Sequence, residues 1–240
     1  MSYSYKTIGV LGGMGPAATA SFMQRVIDLT MAEDDANHVP LLVDMNPQIP
    51  SRISAILDGG EDPAPALAEM AKSLERSGAA ALAMPCNTAH YYAEAITQAV
   101  DIPLLNMLTL AATDVRRAIG GAGTGKAKVG LLASPLTDQV HIFRDAFAPQ
   151  DLDVIFPHDA DHVLSIIREI KANGLSDDMA SAFSALGQEL ESRGASCLLV
   201  GCSEFSMLTR ELETELPVRD TVDILAAEVI RFSGAVLKGT

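Results

Sequence analysis

Two cysteines close two similar stretches of the chain. Gly78 opens Ala79-Ala80-Ala81-Leu82-Ala83-Met84-Pro85, which stops at Cys86 and is followed by Asn87 and Thr88. Gly194 opens Ala195-Ser196-Cys197-Leu198-Leu199-Val200-Gly201, which stops at Cys202 and is followed by Ser203 and Glu204. In both, the cysteine falls eight residues after the glycine. An apolar run that ends abruptly before a helical pattern reads as a buried parallel strand reaching the rim of its sheet. Ligands of α/β proteins sit at that rim. A thiol placed there beside the N–H groups of a helix start can be held as a thiolate.

Several chemistries use two such thiols. A disulfide is disfavoured in a reducing compartment. A metal pair would need further His or Cys ligands nearby. A nucleophilic cysteine usually works with a histidine base. Here His90, in the first turn after Cys86, could aid a thiol or simply face solvent; His158 and His162 also stay open. The remaining reading is acid–base work: one thiolate takes a proton from a carbon, the other thiol returns one to the opposite face, and the stereocentre inverts. Negative charge then builds on a neighbouring carboxylate. Asn87, Thr88 and Ser203, with the N–H groups of two helix starts, are placed to stabilise it. The pair would titrate together, one thiol ionised while the other is not.

The elements that must position these residues repeat. Lys6 to Leu11 reads as a short buried strand, Gly12-Gly13-Met14-Gly15-Pro16 as a tight loop whose glycines let N–H groups approach a ligand, and Ala17 to Met31 as a helix. The loop matches neither the dinucleotide nor the triphosphate fingerprint. A strand over Val39–Met45, a proline-bearing loop from Asn46, a short helix from Arg52 to Leu57 and a helix over Ala64–Ser77 lead to the first cysteine strand. One helix is expected from Thr88 to Val100, then a strand at Ile102–Leu105 and a helix over Thr109–Ile119. Gly120 to Lys126 reads as a flexible connection. Ala127 to Leu132 then restarts the pattern, with Ala133 to Thr137 standing where Gly12 to Pro16 stood. A helix to Phe147, a strand at Leu152–Phe156 and helices over Asp161–Ala172 and Ser176–Arg193 lead to the second cysteine strand. Helices over Ser203–Glu213 and Thr221–Leu237 follow, with a short strand at Pro217–Val218 between them. The expected fold is α/β: two pseudo-symmetric lobes, each a mainly parallel sheet flanked by helices, with the site in the cleft between them. The lobes are residues 1–110 with 220–240, and 111–219.

Composition narrows the classes. Acidic residues outnumber basic ones 31 to 17, for a formal net charge of −14. That argues against a nucleic-acid surface, which needs clustered Lys and Arg. No run is long and apolar enough to span a bilayer. The polar stretch from Met1 to Lys6 carries no secretion signal, so a cytoplasmic protein is expected. Cys197 lies inside its strand and reads as a small buried hydrophobe.

The motifs Ile8 to Pro16, Asn46-Pro47-Gln48-Ile49-Pro50-Ser51-Arg52, Met84 to His90 and Gly201-Cys202-Ser203-Glu204 together resemble the aspartate/glutamate racemase family, most of all its aspartate racemases. The resemblance spans the whole chain. It implies a homodimeric enzyme without pyridoxal phosphate, other cofactor or metal, acting on an amino acid or dicarboxylate. It implies Cys86 and Cys202 as the acid–base pair, and Asn87, Thr88 and Ser203 as holders of the α-carboxylate. Met14 and Gln48 would lie against the substrate, Thr137 would line the pocket, and Arg52 and Lys171 would bind a side-chain carboxylate. Two positions depart from the family pattern: Ser203 stands for the usual threonine, and Leu136 for glycine in the loop Ser134-Pro135-Leu136-Thr137. Related one-thiol chemistry, such as maleate isomerisation or malonate decarboxylation, and a non-catalytic dicarboxylate-binding protein are the alternatives.

Overall fold

The computed structural model describes residues 5–120 and 126–239. The polar start at residues 1–4 and the core of the glycine-rich connection, 121–125, lie outside the described residues. The chain divides into two compact units, Met1–Met107 with Val222–Thr240, and Leu108–Thr221.

The first unit is built on β1 (Ile8–Gly12), α1 (Pro16–Leu29), β2 (Leu41–Met45), α2 (Arg52–Leu57), α3 (Ala64–Arg76), β3 (Ala81–Ala83), α4 (Ala93–Thr97) and β4 (Leu104–Leu105). Its sheet is parallel, in the order β2-β1-β3-β4. The second unit takes α5 (Met107–Ile119) from Leu108, then β5 (Ala127–Leu132), α6 (Leu136–Gln139), α7 (Ile142–Phe147), β6 (Leu152–Ile155), α8 (Ala160–Asn173), α9 (Asp177–Ser192), β7 (Cys197–Val200) and β8 (Val218–Asp220). Its sheet is parallel in the matching order β6-β5-β7-β8. From Val222, α10 (Thr221–Ser233) belongs to the first unit, where the Lys6 N–H donates to Ser233 O at 2.9 Å.

The repeat extends to single contacts. Helix α3 ends where Gly78, at φ +96°, lets its N–H reach Glu75 O at 2.9 Å and the Ala79 N–H reach Leu74 O at 3.1 Å. Helix α9 ends the same way at Gly194, φ +84°, through Glu191 O at 2.9 Å and Leu190 O at 3.2 Å. A left-handed residue just past a helix satisfies its last carbonyls and turns the chain back, which only glycine does without strain. The helices then close tightly on their sheets. A Cβ on Gly9 of β1 would meet Ala79, Leu74 and Leu82, each at 3.0 Å; a Cβ on Gly130 of β5 would meet Leu198 at 2.8 Å, Leu190 at 2.9 Å and Ala195 at 3.1 Å. The same three partners recur at the same steps along the chain, so both cysteine strands are set by one packing solution.

Each cysteine belongs to the apolar core of its own unit. Cys86 packs with Leu11, Leu67, Leu74, Leu82 and Met84, and Cys202 with Leu132, Phe183, Leu190, Leu198 and Val200. The strands and long helices fall where periodicity placed them, with ends shifted by a residue or two, except that α10 stops at Ser233, four residues short of the expected Leu237; the helices beyond the rim differ more. Thr88–Tyr92 is a 3-10 turn followed by the short α4, not one helix to Val100. Phe205–Glu211 is likewise 3-10. The helix expected to end at Phe147 is broken into α6 and α7 at His141, whose φ is +59°.

Candidate active site

In both sheets the chain leaves the first strand for a neighbour on one side and places the cysteine strand on the other. The cysteine therefore emerges beside the point where strand order reverses, and such a point opens a crevice outside the carboxyl ends of the strands. Cys86 lies three residues past β3 and Cys202 two past β7. Both are only 7% exposed.

The turn after each cysteine is pinned by the side chain four residues on. Around Cys86 the pin is His90. Its Nδ1–H donates to Cys86 O at 2.9 Å and its Nε2 accepts from the Met107 N–H at 3.1 Å. Those two bonds fix the neutral tautomer. Burial depresses the imidazole to a pKa of about 4, against the smaller opposing effect of the Cys86 carbonyl. His90 is therefore neither a surface histidine nor a base for the thiol; both ring nitrogens are used by backbone. Around Cys202 the pin is Ser206, whose N–H donates to Cys202 O at 2.9 Å and whose hydroxyl lies 3.3 Å from the same oxygen. Asp220 holds that hydroxyl at 2.8 Å and the Thr209 hydroxyl at 2.6 Å. His158 and His162 are exposed, and His158 borders a cavity of about 680 Å³ with His141, Arg144 and Phe156 rather than meeting a thiol.

Of the two thiols, Cys202 is the one whose surroundings favour the protonated form. Its thiol is held well above the ordinary cysteine range, first by burial and then by the Glu204 carboxylate, with the Glu204 backbone N–H and then Lys171 opposing. The S–H donates to Glu204 Oε2 at 3.1 Å, and the Ser203 hydroxyl is 3.5 Å from the same oxygen. Glu204 Oε1 is 3.3 Å from Lys171 Nζ, near the end of α8. The side chain of Glu204 is 8% exposed and that of Lys171 45%. A carboxylate this deep needs such partners. Glu204 is the site residue that the sequence reading left without a role; its signal was a charge directly behind a strand that is apolar throughout.

The other expected residues fall on the two rims. In the first unit Met14 is buried on the loop after β1, Asn87 is buried, Thr88 half-buried, and Gln48 exposed on the loop after β2. Arg52, half-buried at the start of α2, donates through Nη1 to Pro50 O at 3.1 Å and Ile49 O at 3.4 Å. On the Gly12–Pro16 loop the Gly13 N–H is taken by the first turns of α1, donating to Thr19 Oγ1 at 3.0 Å. In the second unit Ser203 is buried. Thr137 is fully buried and its hydroxyl braces the loop by donating to Ser134 O at 2.6 Å. The Ser134 hydroxyl is buried and finds no partner among the described residues, so it is the loop's uncommitted polar group. Among the described residues, no three His, Cys, Asp or Glu side chains gather into a metal-binding group, and no helix is long and apolar enough to cross a membrane. Cys197 is fully buried in β7, and burial pushes its thiol up to about 12.

The sequence model of Asp/Glu/hydantoin racemases matches residues 11–229. The chain belongs to that family. As a member it is an isomerase of the racemase class. It is 27% identical over 228 residues to the broad specificity amino-acid racemase RacX of Bacillus subtilis (strain 168), covering 93% of this chain and 96% of the relative. Among solved structures it is similar to the Picrophilus torridus aspartate racemase, with a TM-score of 0.81, 29% identity and coverage of 97% of this chain and 96% of the other. An aspartate racemase homologue from Pyrococcus horikoshii OT3 shares the fold at a TM-score of 0.74, with 21% identity over 95% of this chain and 99% of its own. For this racemase, the two-lobe α/β architecture read from the repeat is the family architecture.

Proposed function

We propose that the protein is a cofactor-independent amino-acid racemase that interconverts L- and D-aspartate, with glutamate and other amino acids as further candidate substrates, by proton transfer between substrate and two thiols, Cys86 and Cys202. The observation that carries this reading is the pair itself: two buried cysteines leave equivalent strands of two equivalent sheets, each beside its sheet's reversal of strand order. One thiolate removes the α-hydrogen. The electron pair passes into the α-carboxylate, where Asn87, Thr88, Ser203 and Ser134 offer donors to the developing charge. The other thiol delivers its proton to the opposite face. The Glu204 carboxylate favours a protonated Cys202 at rest, so Cys202 starts as the acid and Cys86 as the base for one enantiomer; the roles reverse for the other. Arg52 and Lys171 would hold a side-chain carboxylate, with Met14 and Gln48 beside the substrate. Thr137 supports this pocket by shaping the loop that carries Ser134.

The same reading makes the enzyme a cytoplasmic homodimer. Three free cysteines suit a reducing compartment. Exposed Val43 and Met45 on edge strand β2, with Ile27 and Met31 by the end of α1, offer apolar surface for a second copy. The test of the reaction is incubation with each enantiomer of aspartate in deuterium oxide, with no cofactor added. The expected result is loss of optical purity together with α-deuterium incorporation from both sides. Absence of both with aspartate, glutamate and neutral amino acids alike would overturn the reading.

A further inference from the structure

Lys171 is the cation expected to meet a substrate's side-chain carboxylate, yet in this structure it already has a carboxylate. Its ammonium lies 3.3 Å from Glu204 Oε1, while Glu204 Oε2 is engaged by the Cys202 thiol at 3.1 Å and approached by the Ser203 hydroxyl at 3.5 Å. Glu204 is anchored: its side chain is 8% exposed, it lies four residues past the end of β7, and its second oxygen is occupied. Lys171 is the adjustable partner, on a flexible stem with its side chain 45% exposed. The pair presents one positive and one negative charge, and an incoming acidic side chain must draw the ammonium from Glu204 or share it. A neutral side chain faces no such exchange.

We propose that Glu204 is a specificity-determining residue, an internal counter-carboxylate that offsets Lys171 so that the site accepts amino acids with neutral side chains alongside acidic ones. This rests on the racemase reading above and deepens it by naming the substrate class. Glu204 acts here through Lys171 and need not touch the substrate. Its removal would leave Lys171 as an uncompensated cation beside the pocket. Removal of Lys171 would leave an uncompensated anion that repels an acidic side chain.

The test is the ratio of kcat/KM for L-aspartate to that for L-alanine, in the wild type, Glu204→Gln and Lys171→Met. Both substrates use the same thiols, so any effect of Glu204 on Cys202 chemistry divides out of the ratio. Glu204→Gln is expected to raise the ratio about tenfold or more, and Lys171→Met to lower it by a similar factor. Lys171→Met strips the buried Glu204 carboxylate of its cation, so the double variant Glu204→Gln/Lys171→Met, which leaves neither charge uncompensated, is measured beside the single variants, and its ratio is expected to fall between theirs. Calorimetric binding of succinate against propionate gives the same comparison without turnover. An unchanged ratio in both single variants, or a ratio that moves toward alanine in Glu204→Gln, overturns the inference. A wild type that racemises nothing would sink the function reading instead, while the succinate-to-propionate binding ratio still decides the role of Glu204.

Discussion

Replacing His90 by glutamine should remove a pH dependence that the buried imidazole imposes on the fold. The unfolded chain presents an ordinary histidine, near 6.5, whereas in the folded protein burial lowers the ring to about 4. The folded-state pKa is depressed, so the unfolded state takes up a proton first as pH falls. The stabilisation is complete above pH 6.5, is lost progressively on acidification, and stops falling below about pH 4. With those two values, the difference in unfolding free energy between pH 7 and pH 5 comes to about 2 kcal/mol. Glutamine keeps a polar side chain near Cys86 O and the Met107 N–H but does not titrate. Urea denaturation at the two pH values, followed by circular dichroism, should show wild type losing about 2 kcal/mol more than His90→Gln. Carboxylates titrate in both proteins and cancel in the comparison. Parallel loss in the two proteins would refute the neutral, doubly bonded histidine and with it the account of how the Cys86 turn is held.

Three other outcomes follow from the packing and the thiols. Gly130→Ala should destabilise by about 1–3 kcal/mol, and by more than Gly9→Ala, because its Cβ meets neighbours at 2.8 and 2.9 Å against 3.0 Å at Gly9; urea midpoints at constant slope would show it. Cys197→Ala should keep racemase activity, with a stability loss of about 1 kcal/mol, and the native thiol should resist iodoacetamide because burial holds it near 12. Ser134→Ala should lower turnover while leaving stability almost unchanged, since its hydroxyl has no partner in the fold, whereas Thr137→Ala should cost about 1 kcal/mol of stability by cutting the brace to Ser134 O.

Much of the fold was legible because two strong local signals agree. The runs ending at Cys86 and Cys202 are too apolar and too short for anything but buried strands, and Gly78 and Gly194 mark helix ends through a conformation that few other residues adopt. What was not legible depends on partners far along the chain. Thr88-Ala89-His90-Tyr91-Tyr92 looks helical by position, but it holds mostly weak helix formers and its histidine is claimed by Cys86 O and Met107. Ser206 and Thr209 are drawn to Asp220, which pulls Phe205–Glu211 into the tighter 3-10 form. That Cys202 is the protonated member of the pair was hidden for the same reason: no local pattern shows that the carboxylate two residues on folds back onto the sulfur. Histidine tolerates the left-handed backbone at His141 but does not announce it.

The claim on which the rest depends is that two thiols share one α-carbon. Cys86→Ala and Cys202→Ala, each incubated with L- and with D-aspartate in deuterium oxide, test it most directly. Both variants should lose racemisation by about 10²–10⁴-fold in both directions while remaining folded. Retention of wild-type racemisation by either variant would contradict the two-base account.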